Sequence, residues 1–248
     1  MKRDRLRKLA GEKRFIPGIY NYCDRWCERC PQTARCLTFA VEEEDSDPEA
    51  RDIRNEAFWK KLPGIFEETL EFLKESAKEW GIDITTLDAA NELRREKVKR
   101  EAAENHLLCR AARSYSERVE DWLKKKEAFL FETAAASREG VDLDEAFEVI
   151  RWYQSFVCAK IMRAIRGVME DKEEPCDEFP SDSDGSAKIA LIAIDRSIAA
   201  WAVVQSYCGE EALGIIAFLD HLRQAVEKAF PKARSFIRPG FDSVDLNT

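Results

Sequence analysis

The stretch "DAANELRREKVKREAAENHLLCRAARSYSERVEDWLKKKEAFLFETAAAS", residues 88–137, decides the fold because it contains neither proline nor glycine. Its residues are mostly strong helix formers, and opposite charges recur four positions apart, a spacing that stabilises helices. The stretch therefore predicts one long helix. Because a helix of this length exceeds the size of a compact bundle, we expect it to kink or to project at one end.

Helical patterns continue on both sides of this stretch. Residues 51–80 are expected to be helical, with a restart or kink at Pro63 and a stop at Gly81. Further helices are expected after Gly140 as far as about Asp171, at 186–207 and at 210–229. Charged residues make up 35% of the chain, which has only ten glycines and eight prolines. The sequence therefore predicts an all-α protein, a bundle of about five long helices with a small N-terminal four-cysteine module.

Composition divides the chain into four parts. Residues 1–40 hold a basic N-terminus and the cysteine module, and residues 41–50, "VEEEDSDPEA", are predicted to form an acidic linker. Asp47 and Pro48 are expected to cap and begin the next helix. Residues 51–230 are assigned to the helical bundle, and 231–248 to an irregular tail.

Charge and hydropathy limit the classes of partner. A net charge of −8 argues against nucleic-acid binding by the whole molecule, although the basic N-terminus keeps a nucleic-acid-associated role open as an alternative. The most apolar helix, residues 187–204, carries three charged side chains and is too short to span a membrane. No apolar segment follows the basic start, so we expect no signal peptide and a cytoplasmic location without membrane contact. The expected partner is another protein.

The second informative stretch is "YNYCDRWCERCPQTARC", residues 20–36, which places four of the eight cysteines within fourteen residues as C-x3-C-x2-C-x5-C. In a reducing compartment such cysteines are thiols or metal ligands rather than disulfides. Thiolates are soft ligands, and four of them complete the coordination shell of Zn²⁺ or of an iron–sulfur cluster. The predicted metal ligands are Cys23, Cys27, Cys30 and Cys36.

Three local resemblances bear on the identity of the metal. Cys23, Cys27 and Cys30 resemble the C-x3-C-x2-C triad of radical S-adenosylmethionine enzymes. The spacing from Cys27 through Cys30 to Cys36 is similar to the start of the SPASM auxiliary-cluster pattern. Both resemblances imply a [4Fe–4S] cluster, but the helical pattern downstream lacks the βα units of a radical enzyme. The clustered cysteines also resemble the structural zinc lobe of medium-chain alcohol dehydrogenases, so [4Fe–4S] and Zn²⁺ both stay open, with a slight preference for the cluster.

Four polar residues on apolar helix faces are candidates for an enzymatic site inside the bundle. Asp195 has Leu191, Ile192, Ile198 and Ala199 as its helical neighbours and is expected to point inward. Lys160 is expected to point inward in the same way, with Arg163 one turn further on. A buried Lys160–Asp195 or Arg163–Asp195 pair is expected, because a lone buried charge is costly. His221 lies on an apolar face of the last helix and could transfer a proton near Asp195.

Other catalytic constellations are excluded. A carboxylate-bridged di-iron site requires two Glu-x-x-His motifs, and neither His106 nor His221 has glutamate three residues before it. The pair of His106 and Cys109 is too small to complete a metal shell. Phosphate-binding loops, dinucleotide-binding motifs and nucleophile elbows are absent from the sequence. Whether the protein is an enzyme therefore stays open.

Overall fold

A computed structural model describes residues 3–44, 53–84, 88–136, 140–173 and 181–242, and these residues are predominantly helical. Eight α-helices lie in the described ranges: α1 (Arg3–Ala10), α2 (Leu37–Glu44), α3 (Glu56–Glu79), α4 (Ala89–Asn105), α5 (Leu107–Ala136), α6 (Gly140–Glu173), α7 (Asp182–Cys208) and α8 (Leu213–Ala229). The same ranges contain no strand, and the predicted all-α class is confirmed. None of the helices described is long and apolar enough to cross a membrane.

The chain divides into two compact units. The N-terminal unit comprises residues 1–20, 25–94 and 239–243, and the bundle unit comprises 21–24, 95–238 and 244–248. Residues 41–44 of the predicted acidic linker are helical, as the end of α2. The rest of that linker, with Asp47 and Pro48, lies outside the described residues, so the composition-based boundaries remain predictions.

The predicted helical bundle is confirmed in the second unit, where α6 packs against α5 and α7, and α8 packs against α7 and α5. The core of these four helices is apolar, with fully buried side chains that include Tyr115, Val119, Ile150, Val157, Ile161, Leu191, Ile194, Trp201 and Leu219. Two aromatic side chains are central to this core. Trp201 donates a hydrogen bond from Nε1 to the Tyr115 hydroxyl at 3.3 Å and meets Trp122 edge to face.

The long proline-free stretch forms two helices rather than one. Asn105 ends α4, Leu107 begins α5, and His106 occupies the break between them. The His106 imidazole accepts a hydrogen bond at Nδ1 from the Leu108 N–H at 3.2 Å. Because the first N–H groups of a helix have no intrahelical acceptor, this contact stabilises the start of α5. The expected kink therefore takes the form of a break with its own cap.

Helix α3 continues through Pro63, so proline neither restarts nor ends it. The Asn55 side chain caps its first turn by accepting from the Ala57 N–H at 3.1 Å. Gly81 has φ +70°, a conformation that glycine adopts at low cost, and its N–H bonds to the Lys78 carbonyl. The predicted stop at Gly81 is thus confirmed.

The segment before α7 is shorter than predicted. The acidic stretch "KEEPCDEFPSDSDGS", residues 172–186, predicts a loop, but α7 begins at Asp182, with Asp182 and Asp184 in its first turn. Acidic side chains near a helix N-terminus interact favourably with the helix dipole, which explains why this polar stretch is helical. Residues 174–180 of the predicted loop lie outside the described residues.

Candidate metal-binding segment

The cysteines lie on a segment made of short 3₁₀ turns, at Ile19–Tyr22, Cys27–Arg29 and Thr33–Arg35. The Cys30 N–H donates to the Cys27 carbonyl at 3.2 Å, and the Cys36 N–H donates to the Thr33 carbonyl at 3.1 Å. In the N-terminal unit, a hydrogen bond of 3.0 Å from the Ile16 N–H to the Arg35 carbonyl joins the two ends of this stretch. The sequence between residues 16 and 35 is therefore a closed loop.

None of the four cysteines of this segment is in a disulfide, and each is partly exposed. The backbone N–H of Gln32 donates to the Cys30 sulfur at 3.4 Å. An N–H donor stabilises negative charge on sulfur, and hydrogen bonds to the sulfurs are among the interactions that tune thiolate metal centres. Cys30 thus has a contact suited to a thiolate ligand.

The sulfur atoms do not form a metal-binding cluster in this structure. Within the described ranges, no group of three or more His, Cys, Asp or Glu side chains is arranged to hold a metal ion. The four-cysteine centre therefore stays a prediction, and its ligands are named by spacing and residue type.

One backbone position between the cysteines is conformationally unusual. Arg25 has φ +60°, and it alone among the described residues other than glycine has a positive φ. For a residue with a Cβ atom this left-handed conformation is unfavourable, and such positions are held by their surroundings. The guanidinium of Arg25 lies 5.9 Å from the centre of the Tyr20 ring, and Arg29 lies 4.1 Å from that of Trp26.

Residues 21–24, which include Cys23, belong to the bundle unit, and we call them the anchored segment. Lys160, only 8% exposed, donates from Nζ to the Asn21 carbonyl at 3.2 Å. Trp152 donates from Nε1 to the Asp24 carbonyl at 3.0 Å. Two side chains of α6 therefore hold the main chain on either side of Cys23.

The Asp24 carboxylate makes a further set of contacts with α6 and α7. It accepts from the Tyr153 hydroxyl at 2.7 Å and forms an ion pair with Arg196. Burial, together with the hydrogen bond to Asp24, raises the pKa of Tyr153 to about 12. The phenol is therefore protonated at neutral pH and can donate, so Asp24 is held by one neutral and one charged donor.

Tyr22 contributes the fourth set of contacts. Its hydroxyl donates to Asp182 at 3.2 Å, and Arg163 binds the same carboxylate through Nε at 2.9 Å and Nη2 at 2.8 Å. Burial, reinforced by the negative charge of Asp182, raises the pKa of Tyr22 to about 12. The Tyr22 ring also packs 4.7 Å from that of Phe236, measured between ring centres.

Gly185 on α7 makes room for Tyr22. A Cβ atom at position 185 would lie 2.3 Å from Cε1 of Tyr22 and 2.7 Å from Cζ of Phe236. We therefore expect Gly185→Ala to displace Tyr22 and to raise the hydrogen-exchange rates of residues 19–24 by about tenfold or more. Gly214→Ala is the control, because no atom lies within 4 Å of a Cβ at that helical position. Unchanged exchange in Gly185→Ala would contradict this packing.

The predicted site inside the bundle is not assembled as expected. Lys160 is buried, but it binds the Asn21 carbonyl, and Arg163 binds Asp182. The predicted pairing of either residue with Asp195 is therefore wrong.

The predicted inward position of Asp195 is also wrong, because its side chain is 39% exposed and pairs with Arg234 at 2.6 Å. Arg223 lies 3.9 Å from the same carboxylate, and Glu227 binds Arg234, so Asp195 belongs to a surface ion network. His221 is exposed on α8. A catalytic role for Lys160, Arg163, Asp195 or His221 stays a prediction.

Sequence reasoning missed the residues that hold the anchored segment, notably Asp24, Tyr153 and Arg196. Arg196 and Asp24 are separated by 172 residues. Helical periodicity reports which face of its own helix a residue occupies, and it carries no information on a partner so distant in sequence. The one local indication was the position of Asp24 directly after a predicted ligand.

No protein-family model, curated protein or solved structure matches the chain. Relatives therefore contribute nothing to the assignment of function. The assignment of function therefore depends on the chemistry of the cysteine segment and on the contacts of residues 21–24 within the bundle unit.

Proposed function

We propose that Cys23, Cys27, Cys30 and Cys36 bind one metal centre, a [4Fe–4S] cluster or Zn²⁺, in a cytoplasmic helical-bundle protein. The centre has a structural, redox-sensing or partner-docking role rather than a catalytic one. The observation that carries the proposal is the hydrogen bond from the Gln32 N–H to the Cys30 sulfur, since backbone N–H groups commonly donate to the sulfur ligands of thiolate metal centres.

The chemistry of the donor set also supports the proposal. All four cysteines are partly exposed and none is in a disulfide, so they are accessible to an incoming metal and are not part of the apolar core. Metal-free thiols have no mutual attraction that would draw four sulfur atoms together. Convergence is therefore expected only when metal binding supplies the free energy. Rearranging short 3₁₀ turns costs less than rearranging a helix, because each turn has few hydrogen bonds to lose.

The position of Cys23 suggests what such a centre would regulate. Cys23 lies between Tyr22 and Asp24, whose side chains bind the bundle. A metal held partly by Cys23 would reduce the conformational freedom of the anchored segment and stabilise its contacts with α6 and α7. Loss of the metal centre would weaken the same contacts, which is the behaviour required of a sensor.

The test is metal content per chain, measured with the visible spectrum on anaerobically purified and reconstituted protein. We expect one zinc ion, or four irons with broad visible absorption, and near-complete loss of either in Cys30→Ser. Cys158→Ser is the matched control, since that cysteine lies on α6 and should not affect metal content. Substoichiometric metal in the wild type after reconstitution, or full metal in Cys30→Ser, would overturn the proposal.

A further inference from the structure

Helix α3 presents a row of large apolar side chains that the described residues leave exposed. Trp59, Phe66, Leu70, Leu73 and Trp80 are each between 52% and 77% exposed. These five residues, together with Pro63 and Ala77, follow one another at intervals of four and three residues from Trp59 to the cap residue Trp80. Ala77 is the one buried member of the row, at 9% exposure. The alternation of four and three is the a/d pattern of a coiled coil, here sustained over three heptads, and we call these seven residues the α3 seam.

We propose that the α3 seam pairs with the α3 seam of a second copy of this chain, as an antiparallel two-helix coiled coil. Size complementarity favours the antiparallel direction. In a parallel pair each side chain meets its own equivalent, so Trp80 opposes Trp80. In the antiparallel pair with Leu70 opposite Leu73, Trp80 of each copy meets Pro63 of the other, so that a bulky side chain faces a small one at both ends.

Charge complementarity selects the same register. Lys60, Glu67 and Lys74 flank one side of the seam, and all three are exposed. With Leu70 opposite Leu73, Glu67 of each copy lies beside Lys74 of the other, which gives two ion pairs. A shift of one heptad, to Phe66 opposite Leu70, would instead bring Glu67 beside Glu67 and Lys60 beside Lys74. Like charges across a coiled coil disfavour pairing, so of these two registers only the first is compatible with the charges.

The extent of the seam is adequate for association. From Trp59 to Trp80 it spans about 32 Å of helix at a rise of ~1.5 Å per residue. Its three large aromatic side chains belong to the residue types that dominate interface energetics. Five large apolar side chains exposed along one helix face mark an interaction site. This inference concerns α3 alone and does not depend on metal binding by the cysteines.

Sedimentation velocity in the presence of reductant tests the proposal on the full-length chain. We expect a reversible wild-type dimer at micromolar concentrations and a monomer for Phe66→Glu, whose site is 65% exposed and should tolerate the change when monomeric. Glu67→Lys should raise the dissociation constant by about tenfold, because two attractions become repulsions. The double variant Glu67→Lys/Lys74→Glu should restore wild-type affinity, since it exchanges the two charges.

The matched control is Glu71→Lys, which makes the same charge change on α3 at a heptad position that points away from the seam, and it should dimerise like the wild type. Circular dichroism establishes that each variant keeps its helix content. The inference is overturned by a wild type that stays monomeric at every accessible concentration, which would leave the seam to a different partner. A dimer that survives Phe66→Glu, or a double variant as weak as Glu67→Lys alone, overturns it equally.

Discussion

Asp24→Ala should release residues 21–24 from the bundle and lower the free energy of unfolding by about 3 kcal/mol. The Asp24 side chain is 22% exposed and accepts from Tyr153 while pairing with Arg196. Its removal leaves the Tyr153 hydroxyl, on a residue only 1% exposed, without its carboxylate acceptor. Urea unfolding measures the stability change, and the rate of Cys23 alkylation in native buffer measures the release.

Asp195→Ala is the control for this prediction, because it removes the same charge from an exposed ion network on the same helix bundle. Surface ion pairs contribute about 0–1 kcal/mol, so this variant should stay close to the wild type. Its Cys23 alkylation rate should be unchanged. Equal losses of stability in the two variants, or slow Cys23 alkylation in Asp24→Ala, would show that Asp24 does not hold the anchored segment.

Trp201→Ala should have the largest effect on the bundle, a loss of about 4 kcal/mol in the free energy of unfolding. Trp201 is fully buried, and its ring centre lies 5.0 Å from that of Trp122 in an edge-to-face arrangement. Alanine would leave a large cavity and would remove the donor to the buried Tyr115 hydroxyl. Denaturant unfolding followed by far-ultraviolet circular dichroism gives the free energy directly.

Leu107→Ala provides the comparison, since that side chain is 76% exposed at the first position of α5. It should change the free energy of unfolding by less than about 0.5 kcal/mol. Trp201→Phe should recover part of the loss, because a smaller aromatic ring still fills most of the cavity. If Trp201→Ala were no more destabilising than Leu107→Ala, Trp201 could not be the centre of the core.

The helical class could be predicted because it depends on composition and on local features. Gly81 ends α3 where expected, since a positive φ is a property of the glycine itself. The break at His106 could not be predicted, because it depends on an imidazole that accepts from a backbone N–H two residues away. Pro63 predicted either a restart or a kink. Helix α3 continues through it, although proline has no N–H to donate to the helix.

The bundle contacts show where sequence reasoning loses information. The apolar neighbours of Lys160 correctly predicted its burial, but its partner is a backbone carbonyl 139 residues earlier in the chain. Apolar neighbours did not bring Asp195 into the core, because a helix side chain at the edge of the apolar face can extend to solvent. Periodicity therefore predicts burial better than it predicts partners.

The contacts of Lys160 and Trp152 with main-chain carbonyls also have a consequence for how this sequence can vary. A carbonyl is supplied by any residue, so the contact at Asn21 does not depend on the identity of its side chain. Asn21 should therefore be replaceable among related chains, whereas Lys160 and Trp152 should be retained. Asp24 should be retained for its carboxylate. Selection should therefore act more strongly on Lys160, Trp152 and Asp24 than on Asn21.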